Sequence, residues 1–554
     1  MSEEKEKDKD KEKESKDKRF RILMSLSIVL LTLYTGVTVG RILYSGPKVY
    51  NVSISNPNNL SAVVDYISRF YVDSVDLKNM TDSMIVSMLQ ELDPHSVYIP
   101  ASELKSSNEH LEGNFEGIGV TFYMFNDTVV VLNVVPEGPS SRANVHPGDR
   151  IVTVNDSVIA GKKIADEKIK SLLRGEANSK VQINIRRMGV DTLIPVEITR
   201  DKVILKSIDV AYMITPNTGY IRMTGFAQNT HAEFVEALER LHAEGMTNII
   251  LDLRENLGGF LDQAIKITSE LFLDKELIVY TEGQAFPRKN EYSKGNGKCG
   301  NDSIIVLIDE RSASASEILA GAVQDNDRGI ILGRRSFGKG LVQQMLDLPD
   351  KSGLRLTIAR YYTPSGRSIQ RPYQHGATGI VNYYNELNQR GENGEYDSAD
   401  SIKPVDTTKY YTAKGRIVYG GGGITPDIFV PYEHSNMYAR RIINSRIMRD
   451  YVMGFGDRHR NELNGITDLS KLERFFENNN PCSGFNDYVK SRGIKTSDME
   501  IKESKAIVEI YLKRDICQIT PLSDLGATYL FNKFDKTVQK ALEIINTQKV
   551  EANV

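Results

Sequence analysis

Residues 303–325 read Ser303-Ile304-Ile305-Val306-Leu307-Ile308-Asp309, then Glu310-Arg311-Ser312-Ala313-Ser314-Ala315-Ser316-Glu317, then Ile318, Leu319, Ala322 and Val323 at helical spacing. The apolar run has the length and β-branched content of a fully buried strand, and the stripe after it is that of a helix. Strand, serine-rich turn and helix follow one another without a break. The same alternation continues outward: Thr247–Leu253 as strand, Gln263–Leu273 as helix, Ser316–Asp325 as helix and Ile330–Gly333 as strand. It predicts an α/β domain with a largely parallel sheet over residues 201–433.

A serine at a strand-to-helix turn can expose its hydroxyl while the first N–H groups of the helix point at whatever binds there. Those donors can act as an oxyanion hole for acyl transfer. The same residues also fit a capping box, in which serine and Glu317 merely satisfy the helix end. Chemistry needs a base as well. Lys339, in Ser336-Phe337-Gly338-Lys339-Gly340-Leu341-Val342-Gln343, is the candidate. A lysine accepts a serine proton only when neutral, so it must be buried enough to fall well below its usual pKa of about 10.4. Histidine is absent between His242 and His375, which removes a local Ser/His pair.

Gly333 to Lys339 matches the start of a phosphate-binding G-x-x-x-x-G-K loop. Gly340 stands where a Ser or Thr should hold magnesium, and Leu341–Leu346 reads as strand and not helix. An ATP-dependent enzyme is therefore disfavoured. A second glycine pair, Gly258-Gly259, closes the strand that ends at Leu253 and permits close backbone approach. Composition alone leaves a simple tight turn equally open there.

Beyond this domain the 554-residue chain is long enough for several folded units. Residues 1–20 are dominated by Lys, Glu and Asp and read as a charged, disordered tail. Ile22–Gly40 carries no charge and is bracketed by Arg19, Arg21 and Arg41, so 21–43 reads as a transmembrane anchor; a cleaved signal peptide is the rival, against which stand the length of the run and the lack of an A-x-A-like site after it. The basic residues before it place the N-terminus in the cytoplasm and the remainder outside, against an inner membrane in the periplasmic or extracytoplasmic space. Residues 57–112 form a helical region on the stripes Val63, Tyr66, Ile67, Phe70 and Met84, Ile85, Met88, Leu89, Leu92. Residues 113–200 form a compact β-rich module with one helix near Asp166–Leu173. Residues 434–554 are helical, with Leu530, Phe534, Val538, Leu542 and Ile545 on one face, and Gln389–Lys414 is a polar surface loop.

A net charge of −3 offers no large field for nucleic acid. Three scattered cysteines, Cys299, Cys482 and Cys517, make neither a disulfide framework nor a zinc site, though a bridge between the last two stays open. No metal and no cofactor is called for.

Seven short motifs in order resemble the C-terminal processing peptidases, the Ser/Lys proteases of family S41 with a PDZ domain. They are Leu92–Ser96, the PDZ-like pair Gly117–Val120 and Pro147–Arg150, Asp252–Gly259, Ser312–Glu317, Phe337–Gly340, Tyr362–Gly366, and Gly423–Asp427. The resemblance implies a crotonase/ClpP-like α/β core with a β-rich PDZ insert. It selects Ser314 as nucleophile, 25 residues before Lys339 as base, with Gln343 orienting the lysine. It further implies backbone donors of Gly258 and Ala315 in the oxyanion hole and a supporting role for Asp325. Gly117, Ile118, Gly119 and Val120 would hold the C-terminal carboxylate of a protein or peptide substrate laid along the module as an added strand. A homo-oligomer or an adaptor protein would fit the regions outside the motifs. The rival class is a noncatalytic, membrane-anchored scaffold that binds C-terminal peptides without cleaving them.

Overall fold

The computed structural model describes residues 59–433 and 436–552. The charged tail and the anchor expected at 21–43 lie outside them, and no described helix is long and apolar enough to cross a membrane. The chain divides into a unit up to Met80 and a second from Thr81 onward. The first contains the helix Asn59–Phe70; of its expected apolar stripe, Val63, Tyr66 and Phe70 are exposed and Ile67 is half-buried.

The second unit is built on a six-stranded sheet. Its order is Ile208–Thr215, Thr218–Met223, Asn248–Asp252, Ser303–Ile308, Ile330–Gly333 and Ile428–Phe429. The first pair is antiparallel and every later pair is parallel, as the alternation predicts. Helices Thr230–Ala243, Leu261–Ser269 and Ala315–Asp325 bury Phe234, Leu238, Ile267, Leu319 and Val323 against one face. Lys536–Ala552 covers the other with Val538, Ala541 and Ile545, each large side chain contributing roughly 1.5–3 kcal/mol of burial. A parallel sheet needs both faces covered, which explains strands such as Asn248–Asp252 that are buried throughout. A second, antiparallel sheet contributes Leu341–Asp347 and Gly353–Tyr362, and these bring Gln343 and Tyr361 to the site.

The β-rich module is the sheet Val120–Phe125, Thr128–Val134, Arg150–Val154, Lys180–Arg186 and Ile194–Thr199, with the expected helix Asp166–Leu173 and a second, one-turn helix Pro139–Arg142. It has a core of its own, including Val131, Ile151, Ile169 and Ile183. Asn114–Gly117 pairs antiparallel with Asp201–Ile204, so a two-stranded stem carries the module.

Two expectations need correction. The face from Leu530 to Ile545 is not one helix: Ser523–Asn532 ends, and Lys536–Ala552 begins after Asp535, whose Oδ1 accepts from the N–H groups of Thr537 and Val538. Phe534 falls in the break and is exposed. The segment from Gln389 does not start as a surface loop either. The helix Gly376–Glu392 runs into it, and buried Arg390 donates to the carbonyls of Arg335 and Ser336 behind the lysine loop. Cys299, Cys482 and Cys517 are free thiols.

Candidate active site

The turn after Ser303–Ile308 is fixed by its own side chains. Asp309 Oδ1 accepts from the N–H groups of Glu255, Arg311 and Ser312. Ser312 Oγ donates to the Leu253 carbonyl (2.8 Å) and Ser316 Oγ to the Asn256 carbonyl (2.9 Å), and both serines are fully buried. Ser314 differs from both. It sits at φ 56°, ψ −111°, a conformation costing of order 1–3 kcal/mol in a non-glycine residue. The turn carries a capping box with Glu317, in which Ser314 N–H donates to Glu317 Oε2 (2.9 Å).

Gly258, at φ 98°, packs against this turn so closely that a Cβ would lie 2.8 Å from Ser314 Cβ and 2.9 Å from Ala315 N. Its N–H, expected in the oxyanion hole, donates to Asn256 Oδ1 (2.9 Å), because buried Asn256 folds its amide back over the turn. Ala315 is the first residue of the serine helix, where an N–H has no partner inside the helix.

Lys339 Nζ donates to Gln343 Oε1 (2.8 Å), and Gln343 Nε2 donates to the His95 carbonyl. Burial, reinforced by Arg355, lowers the lysine pKa to about 8, against the opposing pull of Asp93 and Glu317. The amine and the Ser314 hydroxyl are not hydrogen-bonded to each other in this structure. Burial, then the neighbouring Lys339, also brings His95 down to about 3, so a neutral imidazole faces Tyr383 Oη at 3.0 Å.

Two residues that sequence reasoning passed over tie the serine and lysine loops together. Glu317, fully buried, accepts from Ser314 N–H, Ser336 Oγ (2.5 Å), Gly338 N–H (2.6 Å) and Lys339 N–H (2.9 Å). Burial pushes its carboxyl up to about 7, with these donors pulling the other way. Tyr361 Oη reaches both the Ser314 carbonyl (3.0 Å) and the Lys339 carbonyl. The signal for Glu317 was present as a capping box. Tyr361 had none, since it arrives from another sheet.

Asp325 is at the opposite end of the serine helix, about 16 Å along its axis from Ser314. It pairs with buried Arg367 (2.7 Å) and accepts from Ser365 Oγ (2.7 Å), so its contacts are structural and not with Lys339. In the β-rich module, Gly117 ends the stem and Val120 opens the edge strand. The carbonyls of Ile118 and Gly119 accept from Ser140 and Val135, while their N–H groups have no acceptor among the described residues. His242, Cys299 and Asp302 are the one grouping of metal-type side chains among the described residues. His242 Nε2 and Asp302 Oδ2 already meet there at 2.8 Å.

An α/β core with a serine on a strained strand-to-helix turn, a buried lysine across from it and a PDZ domain on a stem define a serine protease. A profile described as Peptidase family S41 matches residues 217–381, one for the PDZ domain matches 117–198, and a family of unknown function (DUF8443) matches 438–518. A carboxy-terminal-processing protease of Bartonella bacilliformis is 37% identical over 316 residues, covering 56% of this chain and 71% of its own. A probable CtpA-like serine protease of Staphylococcus aureus is 32% identical over 386 residues, covering 68% and 76%. Among solved structures, the photosystem II D1 C-terminal processing protease is 31% identical, covers 55% of this chain and 81% of its own, and aligns with a TM-score of 0.32. The chain belongs to peptidase family S41.

Proposed function

We propose that this chain is a membrane-anchored endopeptidase that cleaves proteins near their C-termini outside the cytoplasm, with the substrate tail held by the PDZ domain. Ser314 is the nucleophile and Lys339 the base. The neutral amine takes the hydroxyl proton as Oγ attacks the scissile carbonyl, and the ammonium returns that proton to the leaving amine when the peptide bond breaks. Water, deprotonated by the same amine, then releases the acyl group. Gln343 aims the lysine, and Ala315 N–H supports the oxyanion. Gly258 leaves the space for it, and its own N–H joins only if Asn256 lets go. The unpaired N–H groups of Ile118 and Gly119 suit a terminal carboxylate.

The observation that carries this reading is the buried amine of Lys339, at about 8 and held by Gln343, with Ser314 at positive φ on the facing turn. Turnover of an unfolded substrate with an apolar C-terminus should fall by about 10³-fold or more in Ser314→Ala and Lys339→Ala. Only the neutral amine accepts a proton, so kcat/KM should climb about tenfold per pH unit below 8 and level off above it. Equal activity in the three proteins would leave a peptide-binding scaffold. The anchor is checked by membrane fractionation with protease accessibility of the PDZ domain from outside the cell.

A further inference from the structure

The C-terminal helical unit packs on the outer face of the PDZ sheet. Tyr123 Oη donates to Asp450 (3.2 Å), Arg150 pairs with Asp457 (2.5 Å), and the Arg446 guanidinium donates to the Met124 carbonyl (3.1 Å). Val130 of the PDZ domain is part of the helical unit's own apolar cluster. Where PDZ domain, protease core and helices meet, they line a half-open cavity of about 900 Å³. Phe122 and Tyr123 border it from the PDZ domain, Glu310 and Tyr432 from the core, and Arg449 and Tyr511 from the helices. Neither Ser314 nor Lys339 lines it.

We propose that this cavity is a second substrate site, which receives the polypeptide segment just upstream of the tail held by the PDZ domain and favours segments combining aromatic or aliphatic side chains with an acidic one. The inference rests on the tail-holding reading above. Val120–Phe125 is the edge of the PDZ sheet, with Thr128–Val134 as its single neighbour in that sheet. A tail laid antiparallel along it, carboxylate at Ile118 and Gly119, brings roughly its third and fourth residues beside Phe122 and Tyr123. Those are the two strand residues that border the cavity. At the next residue the Arg446 side chain already occupies the Met124 carbonyl, so the incoming chain is turned off the strand there.

The volume lies within the roughly 300–1,000 Å³ of ligand sites and suits a few residues. Tyrosine walls supply apolar area with hydroxyl donors. The lining carries Arg440, Arg449 and Arg514 against Glu310, Asp397 and Asp515. Arg334, from outside the lining, pairs with Glu310 (2.8 Å) and Arg514 pairs with Asp515 (2.7 Å), whereas Arg449 has no hydrogen bond or ion pair among the described residues, so the balance is positive there. Arg334 also lies over the Tyr432 ring at 5.3 Å. Glu310 precedes Ser314 by four residues and Arg334 precedes Lys339 by five, so an occupant bears on the base of both loops.

The test uses the full chain in detergent, carrying Ser314→Ala, and fluorescence anisotropy of two labelled peptides. One is a four-residue apolar tail; the other is the same tail extended by eight residues containing Phe and Glu. The longer peptide should bind about tenfold tighter, the scale of one partly desolvated charge pair plus apolar contact. Arg449→Glu and Tyr511→Ala should erase that gain and leave the short peptide unchanged. An extension with Lys in place of Glu should gain nothing until Arg449→Glu is introduced, and then bind tighter. Equal affinity of the two peptides, or equal weakening of both by the variants, would overturn the inference while tail binding stands. Failure of the short peptide itself to bind would remove the tail-holding reading and the inference together.

Discussion

The serine helix Ala315–Asp325 buries a carboxylate at each end, and the two are neutralised in opposite ways. Glu317, in the first turn, accepts only from neutral donors: three backbone N–H groups and the Ser336 hydroxyl. Asp325, in the last turn, is joined to the Arg367 guanidinium, which is itself buried. The helix dipole explains the difference, because an anion is favoured at the N-terminus and opposed at the C-terminus. The first end can therefore hold a carboxylate beside the lysine without a fixed counter-charge that would compete for it. The second needs a cation and becomes a rivet for the Ser365–Arg367 turn.

Asp325→Asn should give the largest stability loss, about 3–5 kcal/mol, because it leaves the Arg367 charge buried and unpaired. Urea unfolding of the purified variant measures it. Turnover per folded molecule should be unchanged, and a collapse of kcat with intact stability would show that the two ends are not separate in function.

Glu317→Gln should do the reverse. A Gln amide turns one pair of donors away, costing about 1–3 kcal/mol, while the loosened serine and lysine loops lose about 10²-fold in kcat. Its pH signature is distinct. Because burial raises the carboxyl from 4.5 to about 7, the folded state prefers the protonated form. That contribution is complete below 4.5 and is lost as pH rises through 7, so wild-type stability should drift down across this window and the Gln variant should not. Identical pH–stability curves for the two proteins would sink the assignment.

The same contrast marks what could be read from residues alone. The parallel sheet was legible because buried strands are continuous apolar runs, and the PDZ helix because its stripe sits between turn signals. Lys339 was legible as a base candidate in its own motif, whereas Ser314 and Gln343 were chosen by resemblance, since three serines in one turn look alike until Ser312 and Ser316 spend their hydroxyls on neighbouring carbonyls. Asp325, which the resemblance offered as a support, stands about three helical turns from Ser314 and is paired with Arg367. The Gly258 donor was claimed by Asn256, two residues away, through an Asx-type turn that composition cannot distinguish from a bare glycine turn. Phe534 fits a helical spacing, yet Asp535 caps a new helix immediately after it.

Tyr361 was the least legible residue and sharpens the comparison at the smallest scale. It lies 47 residues after Ser314, on a strand of the second sheet, with its ring fully buried. One hydroxyl proton faces two carbonyls. The Ser314 carbonyl also accepts from Glu317 and Ile318 N–H, so the Lys339 carbonyl is the one that depends on the phenol. Burial holds the phenol far above its ordinary pKa, which keeps it a neutral donor throughout the working range. Tyr361→Phe keeps the ring and its packing and removes only that link. Losing it should cost about 1–3 kcal/mol in stability, and the slackened lysine loop should lower kcat about tenfold. KM and the pH midpoint near 8 should stay where they are, since neither the tail site nor the burial of Lys339 has changed. A midpoint displaced toward the ordinary lysine value would mean that water enters with the missing hydroxyl, and that Tyr361 seals the pocket instead of aligning its two loops.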